Sequence, residues 1–280
     1  MWGRIFTAEP WRPGWITSFR SPMAERTRIY FASDLHLGMH PGEESRERER
    51  WFVEWLDEIS GDAKELWLLG DVFDYWFEYK KVVPRGFTRF LGKLASLSDQ
   101  GVEIHVFTGN HDVWLFSYLP EEIGVTVHRK NLTRTWNNHR FMLGHGDGLL
   151  KSDRGYRLLQ GIFKNRVLQW LYARLHPNGS TTFAQWWSRQ SRMKKGSYMA
   201  FLGVDKEHQV RFARKILQKE PDIEYFVFGH RHVPFQIQLT ESSKVVCLGD
   251  WIGNFTYAVF DGEQLLLKKY FEDRGEIIFL

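Results

Sequence analysis

Two rhythms of apolar and polar positions alternate along the chain. Short apolar runs at 27–33, 65–69, 102–107, 140–143 and 225–228 have strand length and stop at glycine or polar residues. Between them, 43–59 sets Trp51, Phe52, Trp55, Leu56 and Ile59 at helical spacing, and 87–97 and 206–218 read as further helices. A short strand pair is expected near 125–136. The tail alternates with period two at 235–239, 244–248, 256–260 and 264–270, as antiparallel strands joined by polar turns do. Strands and helices in alternation predict an α/β layered domain. Residues 148–203 depart from that rhythm. Leu158, Leu159, Ile162, Phe163, Val167, Leu168, Leu171 and Leu175 trace one helical stripe, His176-Pro177-Asn178-Gly179 breaks it, and Phe183, Trp186 and Trp187 begin a second. The segment reads as a helical insertion between two strands of the core.

The 280 residues suit one α/β core at 27–280 carrying that insertion. A hydrophobic content of 43% is globular, and no apolar run approaches the roughly 18 residues a membrane-spanning helix needs. The single cysteine, Cys247, rules out an intramolecular disulfide and fits a reducing compartment. Residues 1–26 carry Trp2, Arg4, Trp11, Arg12, Trp15 and Arg20 without the continuous apolar stretch of a secretory signal. They are expected to be a disordered extension, or to precede a true start at Met23. Net charge is +4 and unevenly placed: from Lys151 to Lys195 ten basic residues face one acid, Asp153, whereas the rest of the chain is net acidic. Positive charge gathered in one segment points to an anionic partner.

The candidate chemistry sits at the ends of the predicted strands. Asp34 and His36 follow the first, Asp71 the second, Asn110 and His111 the third, His145 the fourth, and His230 with His232 the fifth. In open α/β sheets the C-terminal strand edge forms the ligand crevice, and neighbouring glycines let the backbone turn sharply there. Carboxylate, amide and imidazole groups together suit divalent metals of borderline hardness. Asp34, His36, Asp71, Asn110, His145, His230 and His232 are too many for one zinc site of four ligands, so the count favours two ions. Two ions about 3.5–4 Å apart activate a water and clamp a phosphoryl group for in-line attack.

Asp34-Leu35-His36, Gly70-Asp71-Val72-Phe73-Asp74, Gly109-Asn110-His111-Asp112, Gly144-His145-Gly146-Asp147 and Gly229-His230-Arg231-His232, in this order, resemble the calcineurin-like metallophosphoesterases over roughly residues 27–270. The resemblance implies a four-layer α/β/β/α sandwich with a dinuclear centre. One ion would take Asp34, His36, Asp71 and His232, and the other Asp71, Asn110, His145 and His230. It also implies that His111 contacts the phosphoryl oxygens or protonates the leaving oxygen, with Asp112 orienting its ring. Asp74 stands where the family's iron enzymes carry a tyrosine ligand, so no iron–tyrosinate site is expected. Mn²⁺ is the first choice, with Zn²⁺ or Fe²⁺ as alternatives, because this donor set does not separate them.

The longer blocks, Ser33 to Gly38, Gly70 to Trp76, and His145-Gly146-Asp147 followed by Ser152-Asp153-Arg154-Gly155-Tyr156, are similar to the UDP-2,3-diacylglucosamine hydrolases of lipid A synthesis. Those enzymes attack the α-phosphorus of a UDP-linked acylated sugar, releasing UMP and the acylated sugar 1-phosphate, and they carry a helical lid where this chain has 148–203. The resemblance implies that Asp153 and Tyr156 help hold the substrate and that Ser191, Arg192, Lys194 and Lys195 face its phosphate. Their best-known branch has arginine after the metal-binding asparagine. Here that residue is His111, so the grip on phosphate is expected from Arg192, Lys194 or Lys195. Phe163, Trp170, Tyr172, Trp186 and Trp187 could wall the acyl chains, and the lid cations suit an anionic bilayer. The expected setting is cytoplasmic, at the inner face of the cytoplasmic membrane, with no nucleic acid and no obligate protein partner. Two other readings compete. A nuclease or other phosphodiesterase of the same superfamily would use the basic insertion on a nucleic-acid backbone, but the charge is confined to one apolar-rich segment rather than a long groove. A catalytically dead scaffold would have lost ligands, whereas all seven and His111 are present.

Overall fold

The structure, a computed structural model, describes residues 26–39, 43–149, 154–194 and 200–280. The extension expected at 1–26 therefore falls, apart from Arg26, outside the described residues, as do Asp153 and Lys195. In chain order the elements are β1 (Arg28–Ala32), α1 (Glu43–Ile59), β2 (Ala63–Leu68), α2 (Thr88–Asp99), β3 (Glu103–Phe107), α3 (Tyr118–Ile123), β4 (Thr126–His128), β5 (Leu132–Trp136) and β6 (His139–Gly144). The lid follows as α4 (Arg154–Lys164), α5 (Arg166–Tyr172) and α6 (Pro177–Lys194). Then come α7 (His208–Leu217), β7 (Tyr225–Phe228), β8 (Pro234–Gln238), β9 (Lys244–Leu248), β10 (Thr256–Phe260), β11 (Leu265–Lys269) and β12 (Ile278–Phe279).

Two six-stranded mixed sheets form, ordered β11-β10-β1-β2-β3-β4 and β12-β8-β9-β7-β6-β5. Strand alternation divides their side chains between three apolar layers. Ile29, Phe31, Trp67, Phe107, Phe141, Val227, Val246 and Phe260 fill the space between the sheets. Tyr30, Ala32, Leu66, Leu68, Ile104 and Val106 point the other way, to Phe52, Trp55 and Leu56 of α1 and Phe90 and Leu94 of α2. Phe226, Phe228, Val245 and Cys247 meet Val210 and Ala213 of α7. Helix, sheet, sheet and helix give the four-layer sandwich.

Three local expectations change. The strands near 125–136 do not pair with each other: β4 extends the first sheet beside β3, and β5 joins the second beside β6. Between Lys130 and Leu132 the chain crosses from one sheet to the other, a long-range choice that local pattern does not reveal. In the tail, β8–β9 and β10–β11 are antiparallel, but β9 runs parallel to β7. In the lid, the first stripe is two helices, because the Asn165 side chain accepts from Val167 N and Leu168 N and caps a new one. Pro177, read as part of a break, opens α6, where its missing N–H costs nothing.

Candidate metal centre

All five predicted strand ends meet on one edge of the sandwich. The C-terminal ends of β1, β2 and β3 in one sheet face those of β6 and β7 in the other. Metal-capable atoms of Asp34, His36 and His232 lie within 4.8 Å of one another, and so do those of Asp71, His145 and His230. The groups touch through Asp71, whose Oδ2 is 3.6 Å from His36 Nε2 and 3.3 Å from His145 Nε2. Asp34 Oδ1 stands 3.7 Å from His232 Nε2, and Asn110 Oδ1 is 3.4 Å from His145 Nε2. The seven side chains expected to meet are therefore brought together, with Asp71 between the two groups.

The backbone is bent to deliver them. Asp34, His36, Asp71, His230 and His232 all have positive φ, between 43° and 71°, a region non-glycine residues rarely adopt. Such strain gathers where surrounding structure over-determines it. Close approach does the rest: a Cβ on Gly109 would lie 2.1 Å from Asp71 Oδ1, and one on Gly229 2.4 Å from Asp34 Oδ2. Only glycine lets β3 and β7 end against those carboxylates.

A further set of groups fixes the imidazoles. His36 Nδ1 faces Asp74 Oδ1 at 3.3 Å, His145 Nδ1 donates to Leu69 O at 2.8 Å, and His232 Nδ1 meets Asp250 Oδ2 at 3.1 Å. In each ring this turns Nε2 toward the shared space, the usual way of orienting a metal-binding histidine. Asp250 was missed in the sequence, although Gly249-Asp250 after β9 repeats the glycine–aspartate ending of β2.

His111 lies beside this centre. Its backbone N–H donates to Asp71 Oδ1 at 2.8 Å, and its Nδ1 is 3.1 Å from Asp74 O and 3.2 Å from Ser188 Oγ. Asp112 does not orient the ring, contrary to expectation. Its carboxylate accepts from Gly109 N at 2.7 Å, Val72 N at 2.8 Å and Phe73 N at 3.3 Å, so it braces the β2 and β3 loops against each other. The ring is held instead by Asp74 and by Ser188, a buried lid residue that also lies 3.4 Å from Asp74 Oδ2. Ser188 carries no motif, so nothing local in the sequence marked it.

The donors fit cations. Asp34 Oδ1 and His36 Nε2 are buried with no hydrogen-bond partner among the described residues, and both face the shared space. Burial pushes the Asp34 carboxyl up. Burial would push the His232 imidazole down, yet Asp34 and Asp250 raise it to about 9. His145 is likewise driven well above its usual value by Asp71 against the effect of burial. The field of the cluster thus selects positive charge.

The lid lies over the rim of the same edge. Trp114 Nε1 donates to Phe163 O at 2.9 Å, Tyr75 and Tyr172 share a hydroxyl bond of 3.0 Å, and Tyr79 bonds Ser180. Phe163 and Tyr172 pack on Trp114, whereas Trp170, Phe183, Trp186 and Trp187 are more than half exposed. Between α6 and the 79–87 loop a cavity of about 390 Å³ reaches Asp74 and is lined by Tyr79, Val83, Arg85, Asn178 and Gln185 among others. Tyr156 lies in α4, and Ser191, Arg192 and Lys194 in α6, on described backbone whose side chains are not described at those positions.

A dinuclear strand-end centre within an α/β/β/α sandwich defines a metallophosphoesterase. The Calcineurin-like phosphoesterase model matches residues 27–234, and the chain belongs to that family of hydrolases, whose members carry a dinuclear divalent metal site. It is 42% identical over 256 residues to the UDP-2,3-diacylglucosamine hydrolase of Porphyromonas gingivalis, covering 87% of this chain and 97% of that one. The enzyme of the same name from Edwardsiella ictaluri is 29% identical over 226 residues, covering 79% and 83%. Among solved structures, a dimetal phosphatase from Danio rerio covers 90% of this chain and 97% of its own, with 15% identity and a TM-score of 0.44.

Proposed function

We propose that the chain hydrolyses the pyrophosphate bond of UDP-2,3-diacylglucosamine to UMP and 2,3-diacylglucosamine 1-phosphate, a step of lipid A synthesis. The reading rests above all on the meeting of the seven donors around buried, unpartnered Asp34 Oδ1 and His36 Nε2 in a chain so close to the P. gingivalis enzyme. Asp34, His36, Asp71 and His232 would hold one divalent ion and Asp71, Asn110, His145 and His230 the other, with Mn²⁺ preferred to Zn²⁺ or Fe²⁺. Such ions, when bound, activate the attacking water and offset charge on the phosphoryl oxygens.

The chain's own groups orient the substrate. With Nδ1 of His111 donating to Asp74 O, Nε2 is the ring atom left to meet a phosphoryl oxygen, to which it donates when the ring carries its second proton. Ser188 and Asp74 fix that ring from the insertion and from the 71–75 loop, so the placement of α6 and the position of the ring are coupled. Asp153 and Tyr156 help hold the substrate, and Ser191, Arg192, Lys194 and Lys195 meet its phosphates in place of the arginine that His111 replaces. The exposed row of Leu158, Val167, Trp170, Leu171, Phe183 and Trp187 supplies an apolar face for acyl chains and for the inner surface of an anionic membrane. No helix among the described residues is long and apolar enough to cross a membrane.

Turnover of synthetic UDP-2,3-diacylglucosamine in ¹⁸O-water tests the reaction. Attack at the α-phosphorus places the label in UMP; label in the sugar 1-phosphate, or no UMP at all, would overturn the assignment.

A further inference from the structure

A second cluster of metal-capable groups lies away from the strand ends, where β2 and β3 run side by side. Glu65 pairs with Glu103 and Trp67 with His105 across the two strands, so Glu65, Glu103 and His105 all present side chains on the face that looks toward the other sheet. Their donor atoms lie within 4.8 Å of one another. His105 Nε2 stands 3.9 Å from Glu65 Oε2 and 3.8 Å from Glu103 Oε2, too far for hydrogen bonds. Donors about 2.1 Å from a tetrahedral zinc stand about 3.4 Å apart, so each carboxylate need come only about half an ångström closer to His105 Nε2 to share an ion with it.

Three features of the surroundings favour a cation at that point. Glu65 is buried, and among the described residues its only ion-pair partner within 4.0 Å is His105. Its carboxylate is aimed by two indoles, accepting from Trp67 Nε1 at 2.9 Å and Trp136 Nε1 at 2.8 Å. The His105 side chain is nine-tenths buried and its Nε2 has no hydrogen-bond partner among the described residues. Its other nitrogen, Nδ1, lies 3.1 Å from His128 Nε2, and its ring stacks on Trp67 at 3.8 Å. When Nδ1 donates to His128, the Nε2 lone pair faces two carboxylates, and burying it beside the Glu65 carboxylate is costly unless a positive charge stands among them. An outer partner fixing the second ring nitrogen is what a metal-binding histidine usually has. Burial also keeps this imidazole neutral, pushed down to about 4.

We propose that Glu65, Glu103 and His105 form a third divalent-cation site, separate from the phosphoesterase centre, that pins β2 to β3. One imidazole and two carboxylates suit Zn²⁺ or Co²⁺ rather than Ca²⁺ or Mg²⁺. Glu103 is exposed at the rim, which gives the ion a way in and makes the residue replaceable without emptying the core.

The test counts ions. Protein with its catalytic metals in place is dialysed against micromolar Co²⁺, and total metal per chain is measured for wild type, Glu103→Ala and His105→Gln, with folding checked by circular dichroism. The expected result is one equivalent fewer in Glu103→Ala, at unchanged hydrolase activity, and a Co²⁺-dependent rise in Tm that the variant lacks. Cobalt bound beside Trp67 also quenches part of the wild-type tryptophan emission. Equal metal content and an equal Tm response in wild type and Glu103→Ala would overturn the site, even if His105→Gln fails to fold.

Discussion

Gly229→Ala perturbs the centre through geometry alone. Gly229 does not have positive φ, so alanine meets no backbone penalty there. The added Cβ would stand 2.4 Å from Asp34 Oδ2, 2.5 Å from Ser33 Oγ and 2.7 Å from Ser33 Cβ. Ordinary contact begins near 3.4 Å, so Asp34 or the end of β7 must give by about 1 Å. Neither has room to do so freely. Asp34 is fully buried, its N–H is bound to Gly70 O at 3.1 Å, and its Oδ2 accepts from His230 N at 2.8 Å. Displacement therefore reaches Asp34, His230 and His232 together. Misplacing reacting groups by about 1 Å costs on the order of 10²-fold in rate, equivalent to about 2.7 kcal/mol of barrier. Overpacking should lower stability by about 1–3 kcal/mol as well. UMP release at saturating Mn²⁺ measures the first effect and urea unfolding the second. Gly61→Ala, where a Cβ meets nothing within 4 Å, serves as the control. Near-wild-type turnover and metal content in Gly229→Ala would refute the claim that glycine is required for the close approach.

Asp71→Ala should lose both ions and essentially all turnover, as counted by elemental analysis and UMP release, because both donor groups meet at that carboxylate. His111→Ala should keep its metal yet lose on the order of 10²–10⁴-fold in kcat; full activity would remove His111 from the mechanism. Cys247 is buried against Gly229 O, and burial raises its thiol to about 12. It should resist thiol reagents in the native protein and react promptly in denaturant. Burial holds His105 and His128 near 4, below the ordinary 6.5. The unfolded chain therefore takes up protons at these two rings first as pH falls, and their contribution to stability should drop between pH 6.5 and 4 and then level off. Both rings keep partial contact with solvent, so the contribution of one such imidazole is discounted to roughly 1–2 kcal/mol. Urea midpoints in chelator at pH 7 and 4.5 should fall less in His128→Gln than in wild type; equal falls would contradict the assignment.

Much of this was legible because local rules and tertiary structure agree. The α1 stripe from Trp51 to Ile59 sets its own boundaries, and the glycine-flanked strand ends carry the site in their sequence order. What escaped depends on distant partners. Asp250 reaches His232 only because β9 lies beside β7, and Ser188 reaches His111 only because the lid folds back across the edge. Asp112 was assigned to its neighbour's ring, but a short carboxylate beside an irregular loop finds nearer N–H groups at Gly109 and Val72. The β4 and β5 segments are three and five residues long, too short for pattern alone to say which sheet each would join. The cap at Asn165, by contrast, is a local signal that reading the apolar stripe as one helix passes over.

We propose that one carboxylate, Asp71, joins two cations into a single centre. Electron paramagnetic resonance of the Mn²⁺-loaded protein measures this directly. Two ions bridged by Asp71 give an exchange-coupled spectrum that collapses to that of isolated ions, or disappears with the metal, in Asp71→Asn. A wild-type spectrum with no coupled component at saturating Mn²⁺ would contradict the account.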